Sequence, residues 1–353
     1  MIRIDLTIQK LRVKRSSYDR ALWLDLLNCA GLKEEKNLDA TYGLFDGEDL
    51  VGTASYQANI LKCLAIRQAY AGGAAFHQLI SFLLTEIYRA GYDDVLVFTK
   101  ASKRQTFEHL GFDLLVETED VAFMERSQEG IDSYLAAIKD QAPFTGDQSL
   151  GAVVMNANPF TKGHRYLIEE ALKAVDGLYV FVLSEDRSLF DKETRLDLVR
   201  RGTADLDSVY VVETKHYMVS QATFPAYFLK ADQSAVRAQA AVDARLFKER
   251  IAPSLGISQR FVGEEPLSPT TAAYNQVMAE VFAPELKLNI IPRRHLDRDG
   301  EVISASKVRR LVLDGDLEAA KNYLPETSRA FIESPACQAM IAKRKDLSQV
   351  HDY

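Results

Sequence analysis

Three cysteines in 353 residues, Cys29, Cys63 and Cys337, are too few and too widely spaced for a disulfide framework, and no CxxC pair offers a thiolate zinc site. Each reads as a small buried hydrophobe in a reducing compartment. No run approaches the roughly 20 apolar residues that cross a bilayer. The first residues, Met1-Ile2-Arg3-Ile4-Asp5-Leu6, carry an acid early and no apolar stretch of signal-peptide length. A cytoplasmic location with no membrane partner is therefore expected. Basic residues are not in excess: 43 Lys plus Arg face 50 Asp plus Glu, a net charge of −7. That balance argues against nucleic acid as a partner, because duplex affinity comes from neutralising phosphates. It leaves room for a small polyanion in a local basic pocket. The GxGxxG fingerprint, the GxxxxGKS/T phosphate loop, HExxH and GxSxG are all missing, so a bound nucleotide would need another device.

What is present is the composition of a folded protein, 47% hydrophobic and 26% charged, long enough for two or three domains. Helical periodicity predicts a helix from Tyr18 to Cys29, and Asp46-Gly47 between apolar runs predicts a hairpin. A strand at 62–66, a helix at 76–89, a strand at 94–99 and a helix at 102–110 closed by Gly111 complete an α+β unit. Residues 128–148 hold a short amphipathic helix and then Pro143, Thr145, Gly146 and Asp147, the best boundary. Beyond it, Gly151-Ala152-Val153-Val154-Met155 is a continuous apolar run, as for a strand covered on both faces. Helices and strands then alternate to about residue 323, which predicts a parallel sheet with right-handed crossovers. The tail beyond Ser348 reads as frayed.

The stretch with chemical character follows that first buried strand: Asn156-Ala157-Asn158-Pro159-Phe160-Thr161-Lys162-Gly163-His164-Arg165-Tyr166-Leu167. Proline pushes Asn158 extended, and the helix start near Gly163 offers free N–H groups and a positive dipole end to an anion. Gly163 permits close backbone approach, and Thr161 and His164 are spaced to meet one phosphate. An ordinary Asn-Pro turn with a satisfied helix-start histidine explains the same residues. A second stretch, Ile303-Ser304-Ala305-Ser306-Lys307-Val308-Arg309, starts a helix that Ser304 or Ser306 can cap. Its hydroxyl, ammonium and guanidinium groups suit a triphosphate. The alternative is a capped surface helix with a basic first turn, although cations ordinarily favour the opposite helix end.

Together these motifs resemble the paired T/H-x-G-H and I-S-x-S/T-x-V-R signatures of the nucleotidyltransferase superfamily. More narrowly, Asn156 to Ile168, Ser184-Glu185-Asp186-Arg187-Ser188, Thr223 to Lys230, Val262-Gly263-Glu264-Glu265-Pro266 and Ile303 to Ser306 resemble the citrate (pro-3S)-lyase ligase family over essentially the whole chain. The resemblance implies an α/β protein: an α+β GNAT-like domain (1–127), a linker (128–148) and a parallel-sheet, Rossmann-like nucleotidyltransferase domain (149–353). It implies a ligase that joins acetate to the thiol prosthetic group of the citrate lyase acyl-carrier subunit through acetyl-AMP, releasing AMP and pyrophosphate. ATP would be the nucleotide, with Mg2+ carried on its phosphates and no metal ligand from the protein. His164, Thr161, Lys307 and Arg309 would be catalytic. Asn156, Asn158, Lys162, Gly163, Arg187, Gly263, Ser304 and Ser306 would bind the nucleotide, with Arg195 and Glu264 as further candidates and Tyr227 and Lys230 near acetate. In the leading domain, Ala71-Gly72-Gly73-Ala74-Ala75-Phe76 stands where GNAT enzymes hold a pyrophosphate loop. Ala71 and Phe76 depart from that pattern, so recognition of the carrier or its CoA-like arm is expected in place of acetyl-CoA use. The readings that compete are an adenylyltransferase acting on a phosphate ester, and a GNAT-type acetyltransferase with a nucleotide-sensing domain.

Overall fold

Apolar runs separated by amphipathic segments fold into two compact units in a computed structural model, which describes residues 6–71, 73–184, 188–219, 223–229, 234–264, 269–292 and 303–348. One unit comprises residues 1–134 and 219–246, the other 135–218 and 247–353. The elements begin with β1 (Leu6–Leu11), α1 (Ser17–Cys29), β2 (Ala40–Asp46), β3 (Asp49–Gln57) and β4 (Ile60–Ile66). There follow α2 (Ala74–Arg89), β5 (Asp94–Lys100), α3 (Arg104–Glu108), β6 (Asp113–Glu117), β7 (Val121–Ser127) and α4 (Gly130–Gln141). Next come β8 (Leu150–Met155), α5 (Lys162–Leu172), β9 (Gly177–Val182), α6 (Lys192–Gly202), β10 (Val209–Glu213) and α7 (Ala235–Leu246). The chain ends through α8 (Ala252–Leu255), β11 (Ile257–Gly263), α9 (Pro269–Phe282), β12 (Lys287–Ile291), α10 (Ala305–Asp314), α11 (Leu317–Lys321), α12 (Glu326–Ile332) and α13 (Pro335–Ser348).

In the first unit seven strands pair in the order β1-β2-β3-β4-β5-β7-β6, and only β4 and β5 run parallel. The hairpin read from Asp46-Gly47 forms, with Gly47 at φ +60°. The buried face of α2 (Leu79, Ile80, Leu83, Leu84, Ile87) packs on Leu44, Val51, Val95 and Val97 of the sheet. The parallel pair β4–β5 is short: Ile60 opposes Leu96 and Leu61 opposes Val97, and pairing stops there. Cys63, at φ +52°, lies just past that point. Its N–H, freed from the ladder, donates to the Tyr227 hydroxyl at 2.8 Å, as a buried amide must find an acceptor somewhere. Burial holds the Tyr227 phenol well above its ordinary value.

Segment 219–246 therefore folds with the first unit. Its predicted place was inside the second domain, whereas the short amphipathic helix expected within 128–148 forms as α4. Cys29 is exposed, against the expectation of three buried thiols, while burial raises Cys63 to about 12 and Cys337 to about 11. Strands β1, β6 and β7 and helices α12 and α13 were not predicted, and the tail beyond Ser348 lies outside the described residues. Among the described residues no helix is long and apolar enough to cross a membrane.

The second unit carries the parallel sheet expected from the apolar runs, in the order β10-β9-β8-β11-β12. Strand β9 is buried along its whole length, and Val153, Val180, Leu198 and Phe261 share its core with α5 and α6. A second core, with Val308, Val312, Leu324 and Ile332, gathers the C-terminal helices around Phe190 and Ile303. Phe160, wholly buried, sits against Gly202 at the end of α6, where a Cβ would stand 2.6 Å from its ring. Alanine ordinarily strengthens a helix relative to glycine. Here the ring has no room to retreat, so Gly202→Ala should lower stability by about 1–3 kcal/mol, read as a lower urea midpoint at unchanged slope.

Candidate functional site

Strand order alone marks a place. The chain moves outward from β8 to β9 and β10, then returns to the other side of β8 as β11. The adjacent strands β8 and β11 thus flank the topological switch point, the place where parallel α/β sheets take ligands at their carboxyl ends. Asn156 follows β8 directly, and Gly263 ends β11.

The loop leaving β8 is tightly held. Ala157, fully buried, takes φ +50°, a left-handed conformation that costs on the order of 1–3 kcal/mol for a residue with a side chain. Asn158, 6% exposed, accepts the Phe190 N–H on its Oδ1 at 3.2 Å and gives its carbonyl to Arg309 Nη1 at 2.8 Å. Thr161 caps α5, with its Oγ1 accepting the His164 N–H at 3.4 Å. The Thr161 N–H in turn donates to His164 Nδ1 at 3.1 Å, completing a capping box. A backbone N–H can only donate, so Nδ1 is the acceptor and, in the neutral ring, the proton sits on Nε2. Thr161 and His164, expected to meet one phosphate side by side, bind each other through Nδ1, and Nε2 is the nitrogen that carries the proton.

The second motif meets the first. A Cβ built on Gly163 would lie 3.5 Å from Ile303 Cγ2, an ordinary van der Waals contact, and Arg309 bridges Asn158 O to Ser306 Oγ (2.9 Å). Ser304 occupies the N-cap of α10 but its side chain makes no capping bond. The hydroxyl cap expected of Ser304 or Ser306 is thus not formed. Lys307 stands over the Tyr323 ring at 4.9 Å. Burial lowers the Arg309 pKa from its ordinary value, and a guanidinium still carries its charge there.

Lys162 and Arg195, expected as phosphate ligands, are committed within the protein, and so is Arg165 beside them. Lys162 donates its ammonium to Asn322 O at 2.7 Å at the end of α11, and its pKa falls through burial and then through Arg329. Arg165 clasps Asp205 and the Gly202 carbonyl, holding the Asp205 carboxyl down to about 2. Arg195 is wholly buried, with bonds to Asn156, Leu183 and Phe190. Among the described residues nothing lies within 4 Å of a Cβ built on Gly263, and the Glu264 N–H pairs with Ile291 O. Arg187 and Lys230 lie outside the described residues. Tyr227, expected near acetate, belongs to the first unit, buried against Cys63. Sequence reasoning missed the loop-holding part of Ser188 and Phe190, which only the spacing from Asp191, the N-cap of α6, could have signalled. Among the described residues no group of three or more His, Cys, Asp or Glu is gathered.

Comparison with known proteins gives a consistent result. A family profile described as the citrate lyase ligase C-terminal domain matches residues 150–332. A citrate (pro-3S)-lyase ligase of Klebsiella pneumoniae is 36% identical over 292 residues, covering 80% of this chain and 83% of that protein. One from Escherichia coli K12 is 33% identical over 331 residues, covering 92% of this chain and 93% of that protein. Among solved structures, Thermotoga maritima TmcAL bound with alpha-thio ATP aligns with TM-score 0.34 and 14% identity over 52% of this chain and 55% of that one. Escherichia coli ElaA aligns with TM-score 0.31 and 17% identity over 35% of this chain and 99% of that one.

Gly163 supplies a discriminating substitution. Nothing in the described chain forbids a Cβ at this first-turn position of α5, and alanine suits a helix better than glycine. Gly163→Ala should therefore leave the melting temperature unchanged or raised. If a phosphate sits on the α5 N-terminus, the same methyl should weaken ATP binding by about tenfold or more, about 1.4 kcal/mol, measured by calorimetric titration.

Proposed function

The chain belongs to the citrate lyase ligase family, and from that premise we propose which of its residues carry the reaction. Family members are ATP-dependent acetate ligases that activate citrate lyase by acetylating its acyl-carrier group. Acetate attacks the α-phosphorus of ATP, pyrophosphate leaves, and the carrier thiol then attacks the acetyl carbonyl of acetyl-AMP and expels AMP. Acetate has no proton to lose in the first step, so a general base is not required. The demands are orientation of the carboxylate and neutralisation of charge growing on the leaving pyrophosphate.

The observation that carries this reading is the convergence of residues 156–164 and 303–309 at the switch point, joined by the Arg309–Asn158 bond. The N-termini of α5 and α10 would take the phosphates, with His164 Nε2–H, Ser304, Ser306 and Lys307 as side-chain donors. Gly163 and Gly263 would admit the nucleotide. Lys162 and Arg309 would act through loop position and long-range charge, and Thr161 through the box that orients His164. Asn158 would act through the loop it fixes. Mg2+ belongs on the triphosphate oxygens, where it supplies further charge neutralisation.

His164→Asn tests this directly. Asparagine Oδ1 stands near the place of Nδ1 and can keep the bond from Thr161 N–H, while the Nε2 donor is lost. Acetate-dependent exchange of labelled pyrophosphate into ATP should fall about 100-fold or more, with a melting temperature within a few degrees. A large loss of stability with exchange surviving in the folded fraction would reject the assignment.

For the second half-reaction, the first unit supports a place for the carrier's CoA-like arm. Where β4 and β5 part, a cavity of about 650 Å3 opens, walled by Leu64, Ile66, Phe76, Phe98 and Phe107 and rimmed by Lys100 and Lys103. Both lysines are exposed and make no ion pair among the described residues. An apolar throat with a cationic rim suits a pantetheine chain ending in phosphate. Replacing Lys100 and Lys103 together by Glu should raise the KM for the carrier about tenfold and leave acetate-dependent pyrophosphate exchange unchanged. Equal loss of both would move the arm's site elsewhere.

A further inference from the structure

Arg195 is a charged side chain with no exposed surface, and its bonds run to three segments that leave the sheet or lead back to it. Nε donates to Phe190 O at 3.1 Å, and Nη1 donates to Leu183 O (2.6 Å), Asn156 O (2.9 Å) and Asn156 Oδ1 (2.8 Å). Ser188 Oγ adds a donor to the same Oδ1 at 3.4 Å.

The chemistry of the partner fixes the orientation of Asn156. A carboxamide's oxygen and nitrogen are ordinarily hard to tell apart by shape. A guanidinium has donors only, so the atom facing Arg195 must be the oxygen. The oxygen's lone pairs are then taken by Arg195 and Ser188. What Asn156 has left to offer is its NH2, which has no partner among the described residues, on a residue that is exposed. It stands immediately beyond the carboxyl end of the central strand, at the switch point.

We propose that the Asn156 amide donates to an oxyanion of the reacting pair, and that Arg195 is the positioning residue that locks the amide in that orientation. The oxyanion is either the carboxylate of the acyl substrate or a non-bridging oxygen of the α-phosphate. Both present a negative oxygen at the centre of the displacement, and a donor held by a buried clamp costs no reorganisation when charge develops. This inference rests on the ligase reading of the second unit. It assigns to Arg195 a role that phosphate contact does not describe.

Asn156→Asp separates the donor from the fold. The carboxylate keeps the shape and gives Arg195 and Ser188 an acceptor, so the melting temperature should not fall. Its anion replaces the donor, and acetate-dependent pyrophosphate exchange should drop about 100-fold. Asn156→Ser then distinguishes the two oxyanions. A raised KM for acetate with ATP unchanged marks the carboxylate; a lowered kcat with both KM values unchanged marks the α-phosphate. Arg195→Lys should slow exchange in the parent, yet add nothing in the Asn156→Asp background, because a residue acting through another is silent once the other is gone.

If Asn156→Asp exchanges within threefold of the parent, the donor role is overturned, and that arm decides even if Arg195→Lys fails to fold. If the two losses multiply, the positioning role of Arg195 is overturned. An inactive parent protein would instead reject the ligase reading itself, so the two failures are told apart.

Discussion

A single guanidinium–carbonyl bond, Arg309 to Asn158 O across 151 residues of sequence, joins the two stretches to which we assign the chemistry. A parallel strand that ends must leave its sheet through a loop whose backbone groups have no ladder to join, and each buried one needs another partner. Asn158 meets that demand twice. Its carbonyl takes Arg309, and its side-chain oxygen takes the Phe190 N–H. One residue of the β8 loop therefore pins the approach to α6 and, through Arg309, the N-terminal half of α10. Ile303 and Phe190 enter the same apolar cluster, so hydrophobic burial and the polar bond hold the same arrangement.

How much of this was legible depends on whether the signal was local. The parallel sheet was legible because β8 and β9 are apolar on both faces, a pattern that doubly covered strands require. The α5 and α10 helix starts were legible because Thr161 before Gly163-His164, and Ser304 before Lys307, are local capping and charge signals. Segment 219–246 was not. Ala235–Leu246 has the periodicity of any crossover helix, and nothing in it tells which sheet it covers. Its packing is decided by Gln239 and Asp243, which bind the backbone of Val219 within the same excursion, and by contacts with β6 and β7 more than 100 residues earlier. The hydroxyl cap of α10 failed for a related reason: Ser306 is drawn to Arg309, a choice that only the bond from Arg309 to Asn158 explains.

The cations illustrate the same limit. Read along the chain, Lys162, Arg165, Arg195 and Arg309 look alike, four positive groups in or near the two motifs, three of them expected to meet phosphate. In the fold each has a different neighbour. Lys162 finishes a helix C-terminus, where the dipole favours positive charge. Arg165 ties α5 to the end of α6, and Arg195 and Arg309 hold loop carbonyls. Charge spent on carbonyl oxygens is not lost to the reaction. A guanidinium keeps its full charge when it binds neutral acceptors, so it contributes to the field in the crevice while fixing the geometry of other donors.

That division of labour answers a difficulty posed by the substrate. Acetate is small and offers no side chain by which an enzyme could grip it, so its placement has to come from the precision of a few donors. Precision of this kind is expensive for a loop, as the left-handed, fully buried Ala157 indicates. Strain of that size persists only where neighbours over-determine the backbone. Here Arg195, Arg309, Phe190 and the Thr161–His164 box each bind within the same nine residues, 156–164. The loop is fixed from several sides before any nucleotide arrives, and ligand binding need not supply the ordering free energy. For the proposed site, rate would come from donors already in place, which is the form of catalysis an unactivated carboxylate attacking phosphorus can use.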